Sequence, residues 1–118
     1  MKIIVSKTFE NNFKDLVWKS YSNCNLIKFT SIIYKFIIKK GFYLNRPFMK
    51  LKFDFCNKSV RLLIINDLSN NLIIPIFITD KNDKKYWYNM TWDIVKDKAL
   101  KLFELISDDI NKNDFQEF

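Results

Sequence analysis

Histidine is absent from the chain, glycine occurs once, proline twice and cysteine twice. With no imidazole, and with Cys24 and Cys56 in no metal-ligand spacing, neither a zinc site nor any other metal or cofactor is expected. The two thiols are expected to be a reduced, cytosolic pair, and a disulfide between them stays open. So few glycines and prolines argue against a loop-rich scaffold, and there is no internal repeat, low-complexity tract or linker. No stretch approaches the roughly 18 uncharged apolar residues of a spanning helix. The opening MKIIVSKTFE has three consecutive apolar residues after Lys2, too short for a signal-peptide core. The expectation is a soluble, cytoplasmic protein with no membrane partner.

What is present is apolar, aromatic and basic. Of 118 residues 48% are hydrophobic and 17% aromatic, enough to bury one core, so residues 1–118 read as a single domain. The net charge is +7 and the pI about 9.4, a balance that draws a protein to polyanions. An A/T-rich genome over-uses Lys, Ile, Asn, Phe and Tyr, so the total alone weighs little. The distribution weighs more. Residues 1–66 carry 13 Lys/Arg against three Asp/Glu, whereas residues 67–118 carry seven against ten. Separated signs suggest one polyanion-facing surface.

Periodicity gives the elements. Residues 2–6 are short and β-branched, a first strand. Thr8 offers an N-cap for a helix that places Phe9, Phe13, Leu16 and Val17 on one face. SYSNCN (residues 20–25) interrupts it. A second helix is expected over residues 26–40, with Leu26, Phe29, Ile33, Phe36 and Ile37 on its apolar face, Ile32 and Ile38 widening the stripe, and Gly41 as its stop. After NRPF (45–48) the period changes to two. Met49, Leu51, Phe53 and Phe55 alternate with Lys50, Lys52 and Asp54, a strand with one face in the core. CNKS turns into a nearly continuous apolar strand over 60–66, and DLSNN into another over 72–79. Pro75 must there sit at an edge, a bulge or a non-bonded position. Thr91 can cap a last helix with Val95, Ala99, Leu102, Phe103, Ile106 and Ile110 on one face. The order β-α-α-β-β-β-α predicts an α+β fold: an antiparallel sheet with an N-terminal helical hairpin on one face, and a C-terminal helix.

Four segments, SKTFENNFKDL (6–16), PFMKLKF (47–53), VRLLII (60–65) and IIPIFITDKNDKKYWYNM (73–90), together with the order, length and charge of the chain, resemble the RelE/ParE superfamily of toxins from toxin–antitoxin systems. The resemblance covers most of residues 1–110. It implies a small cytosolic toxin neutralised by a cognate antitoxin. It further implies a metal-independent endoribonuclease that cleaves mRNA, often on the ribosome, or, in another branch, a non-nucleolytic inhibitor of DNA gyrase. A catalytically decayed binding module of the same fold is a third outcome.

Metal-free RNA cleavage needs a base for the 2′-hydroxyl, positive charge on the five-coordinate phosphate and an acid for the 5′-oxygen. Arg61 opens an otherwise apolar strand, and its guanidinium can hold two phosphate oxygens; it also matches a strand arginine of the family. Lys81, Lys84 and Lys85 follow the strand where the family places its terminal catalytic residues. A lysine serves as base only where burial or neighbouring cations lower its pKa. Tyr86 and Tyr88 can stack on a base or donate to phosphate, and one of the two is expected to be buried. Asp80 and Asp83 are candidates to orient the lysines. Lys50 and Lys52 share a strand face and extend a basic, RNA-binding track. The chain departs from the family pattern in lacking a histidine and any strand glutamate, which leaves Asp54 as the one strand carboxylate base, and in a tryptophan, Trp87, whose ring is expected to narrow the approach.

Overall fold

A computed structural model of the chain describes residues 1–17, 23–88 and 90–118, the side chains of Ile37 and Ile38 excepted. The break read over residues 20–25, and the placement of Ile37 and Ile38 in the helix stripe, therefore lie in part outside the described residues. The elements are β1 (Lys2–Ser6), α1 (Lys7–Val17), α2 (Leu26–Lys40), β2 (Phe42–Asn45), β3 (Phe48–Phe55), β4 (Lys58–Asp67), β5 (Leu72–Asp80), α3 (Lys84–Tyr88), α4 (Trp92–Asn111) and β6 (Phe115–Glu117).

The class is α+β, with one six-stranded sheet in the order β2-β3-β4-β5-β1-β6. The description as an antiparallel sheet with an N-terminal helical hairpin is corrected. The sheet is mixed, because β1 runs parallel to β5, pairing Lys2 with Leu72 and Ile3 with Ile73. The hairpin is not N-terminal: the two helices follow the expected first strand and carry the chain from β1 to the meander, part of the long connection that a parallel pair requires. The short β2, α3 and β6 add to the expected order.

Strand alternation divides the core into two layers. On one side Met49, Leu51, Phe53 and Phe55 of β3 and Val60, Leu62 and Ile64 of β4 pack under Phe9 and Phe13 of α1 and Phe29 and Ile33 of α2. Phe29 is the hinge of this layer, with ring centroids 5.0–5.7 Å from Phe9, Phe13 and Phe55. On the other side Leu63 and Ile65 of β4 and Ile74, Ile76 and Phe77 of β5 pack under Val95, Ala99 and Ile106 of α4. Leu63 pairs with Phe77 and Ile64 with Pro75, so Ile76 is an extra residue. Pro75 thus adjoins a bulge, one of the positions open to it.

The ends of the elements differ from expectation in three places. Ser6, not Thr8, caps α1: its hydroxyl accepts from Phe9 N at 3.1 Å. Thr8 lies in the first turn, where its N–H and hydroxyl both donate to Asp109 Oδ2 of α4, at 2.7 and 2.6 Å. Gly41 does end α2, but in extended backbone (φ −70°). A Cβ at this position would meet the Met49 side chain, which would have to shift to make room. Cys24 and Cys56 form a disulfide, against the expectation of a reduced pair. Packing of α2 on β3 brings the approach to α2 over the β3–β4 turn, with Cα atoms 6.0 Å apart, within disulfide reach. No helix among the described residues is long and apolar enough to cross a membrane.

Candidate functional site

The turn between β3 and β4 consists of Cys56 and Asn57 alone, both with positive φ (55° and 61°), the geometry of a type I′ hairpin. It sets Phe55 opposite Lys58, and the ladder then places Asp54 opposite Ser59, Lys52 opposite Arg61 and Lys50 opposite Leu63. Because Leu51, Phe53 and Phe55 face the α1/α2 layer, Lys50, Lys52 and Asp54 face the other way. There α4 packs on β5 and β1 and does not extend over this end of β3. A polar strip is left open on the sheet.

That strip is the floor of a cleft of about 440 Å3 lined by Phe36, Lys40, Lys52, Asp54, Ser59, Arg61 and Trp87, among others. A second hollow of about 420 Å3, lined by Lys40, Phe42, Lys50 and Lys52, shares two of these lysines and continues it. Like charges directly opposite one another destabilise a strand pair, so Lys52 across from Arg61 works against folding. Neither side chain has an ion pair among the described residues. Lys50 has its pKa lowered, chiefly by partial burial and further by repulsion from Lys52 and Arg61. Its ammonium donates to Met90 O at 3.3 Å.

Trp87 roofs the strip. Its ring lies 4.7 Å from the Arg61 guanidinium carbon, a stacked cation–π contact. Arg61 Nε is buried there without a hydrogen-bond partner among the described residues. An unmet buried donor costs about 1–3 kcal/mol.

Arg61, Lys52 and Asp54 line the cleft and Lys50 joins Lys52 in the adjoining hollow, whereas Lys81, Lys84, Lys85, Tyr86 and Tyr88 lie outside both linings. Lys81 is exposed in the turn after β5, and Lys84 and Lys85 are exposed on α3. Lys85 lies over the Tyr86 ring at 5.2 Å. Tyr86 is half-buried, edge-on to Phe77 at 5.4 Å, whereas Tyr88 is 66% exposed. Asp80 and Asp83 orient backbone rather than lysines of the loop. Asp80 accepts from Asn82 N and pairs with Lys58 at 3.4 Å, and Asp83 accepts from Tyr86 N at the start of α3. Lys40, Phe36 and Ser59 are cleft residues that the one-dimensional reading missed; the hairpin register would have found Ser59, and only tertiary packing brings in the other two.

Comparison with protein-family models, with curated proteins and with solved structures gives no match to this chain.

Proposed function

We propose that the chain is a toxin of the RelE/ParE type, held by a cognate antitoxin, that cleaves mRNA without a metal ion in the cleft over β3 and β4. One observation carries the reading: Lys50, Lys52 and Arg61 stand together on an open sheet face, and none of them forms an ion pair among the described residues. A phosphodiester supplies the missing negative charge. Lys50, partly buried and facing Lys52 and Arg61, has its pKa lowered, and in its neutral form its amine takes the proton of the 2′-hydroxyl. The 2′-oxygen then bonds to phosphorus while Arg61 and Lys52 hold the phosphate oxygens. As the bond to the 5′-oxygen breaks, the Lys52 ammonium returns a proton to that oxygen, leaving a 2′,3′-cyclic phosphate. Lys81, Lys84, Lys85 and Tyr88, exposed on the flank, extend the grip on the strand or on the ribosome.

The test is incubation of purified, folded protein with mRNA, with and without ribosomes. Cleavage ending in cyclic phosphate is expected, falling by roughly 100-fold or more in Lys50→Ala and in Arg61→Ala. RNA left intact under both conditions overturns the reading. Loss of gyrase supercoiling with intact RNA would assign the protein to the other branch of the superfamily.

A further inference from the structure

One carboxylate lines the basic cleft, and phosphate binding gives it no role. Asp54 lies two cross-strand pairs along from Lys52 and Arg61, the next pair on the same face, yet it forms no ion pair among the described residues. Its Oδ1 accepts from the Ser59 hydroxyl at 2.9 Å, which fixes the carboxylate plane and leaves Oδ2 unengaged. A carboxylate there repels phosphate, so the group that suits it is an uncharged donor on the same ligand.

We infer that Asp54, oriented by Ser59, reads a guanine base of single-stranded RNA whose phosphate lies on Lys52 and Arg61. An ionised carboxylate only accepts hydrogen bonds, at two oxygens side by side. Guanine is the base whose Watson–Crick edge offers two adjacent donors, N1–H and the N2 amine. Adenine and cytosine each set one amine beside a ring acceptor, and uracil sets one N–H between two carbonyls, so each turns a lone pair toward the carboxylate. Splayed single-stranded bases are read on this edge while stacked on aromatic side chains, and Trp87 and Phe36 line the same cleft. Two residues along a strand span about 6.8 Å. Added to the reach of the lysine and arginine arms, this separates a phosphate contact from a base contact on the scale of one nucleotide. Asp54 is thus a specificity residue, and its role rests on the reading of the cleft as an RNA site.

Five-nucleotide RNAs with 2′-O-methyl groups throughout cannot be cut through the 2′-oxygen, so binding is measured apart from cleavage. The all-uridine pentamer is compared with pentamers carrying a central G, A or C, by fluorescence anisotropy of an end label. The G pentamer is expected to bind about tenfold tighter than the other three, the discrimination of a bidentate base contact. In Asp54→Asn that advantage disappears while the uridine pentamer binds as well or better. Ser59→Ala, which frees the carboxylate to rotate, narrows the advantage without removing it. A wild-type protein that treats the four pentamers alike overturns the inference, as does a guanine advantage that survives in Asp54→Asn. Guanine recognition and RNA binding fail separately. If the uridine pentamer binds through Lys52 and Arg61 without any guanine advantage, only the base reading falls; if no pentamer binds, the RNA reading of the cleft falls with it.

Discussion

Lys50 shows how one side chain can serve a site and oppose the fold. It lies on an otherwise productive strand, but its charge is partly buried and faces Lys52 and Arg61, so its pKa is lowered from the ordinary lysine value. In the unfolded chain that repulsion is absent. The unfolded state therefore binds more protons than the folded one at any pH between the two pKa values, and stability rises with pH through that window. The destabilisation is complete below the folded pKa and fades toward 10.5, the unfolded value. Lys50→Met should accordingly melt slightly higher than the wild type at neutral pH, by up to about 0.5 kcal/mol after loss of the bond to Met90 O. The advantage should shrink as pH is raised toward 10. RNA affinity should move the opposite way, weakening while the slope of log K against log salt falls by about one. Thermal melts at several pH values, paired with a salt titration, check both signs. A variant less stable than wild type at pH 7 would show that Lys50 is held by its contacts rather than strained by its neighbours.

At the scale of elements, the junction of α1 with α4 is the clearest case of a contact that no local pattern reveals. Thr8 has the residue type of an N-cap, but Ser6 already fills that role, and Thr8 instead gives two donors to one oxygen of Asp109, 101 positions away. Hydrogen bonds to a charged group contribute about 1.5–3 kcal/mol, so Asp109→Ala is expected to cost roughly 2 kcal/mol or more by urea unfolding. Binding at the cleft should not change, because Asp109 meets α1 beside β1 and not at β3; a matching loss of RNA affinity would show the two regions to be coupled. The same contrast explains what the sequence could show. Period-two alternation over Met49–Phe55 and period 3.6 over α1, α2 and α4 are written in single residues, and those elements were legible. The short β2, α3 and β6 exist because the rest of the sheet and α4 hold them, so three to five residues carry no pattern of their own. The parallel pairing of β1 with β5 is likewise decided by packing across the whole chain. The cleft was half legible. Reading CNKS as a four-residue turn would set Arg61 opposite Asp54, a neutral ion pair. The two-residue turn at Cys56 and Asn57 moves the register by two and sets Arg61 opposite Lys52, and from that shift the uncompensated charge of the site arises.

Across the whole molecule the cationic strip and the C-terminal strand lie at opposite edges of the sheet. The cleft lies toward the β2–β3 edge, while the acidic C-terminal segment pairs through β6 with β1 at the opposite edge. Its Phe118 closes two backbone bonds with Ile3, and its Gln116 donates to Glu10 at 3.0 Å, so it closes the far side of the sheet and leaves the cationic strip open. The Cys24–Cys56 disulfide adds a covalent link to the packing that joins the helical layer to the hairpin bearing that strip. Cys56 is a non-glycine residue held at φ 55°, a conformation that costs about 1–2 kcal/mol, and the disulfide holds it there. Because the cysteines are 32 positions apart, closing that loop in the unfolded chain is worth about 3–4 kcal/mol in the chain-entropy description. Reduction with a small dithiol, or Cys24→Ser, should therefore lower the melting temperature by roughly 10 °C. The pairing of β3 with β4 runs unbroken from Phe48 to the turn, so the strip should keep its register, and RNA affinity should change by no more than about twofold, under 0.5 kcal/mol. Equal melting temperatures for the oxidised and reduced protein would show that packing of α2 on β3 already fixes the hairpin. A large loss of affinity on reduction would show instead that the bond shapes the cleft.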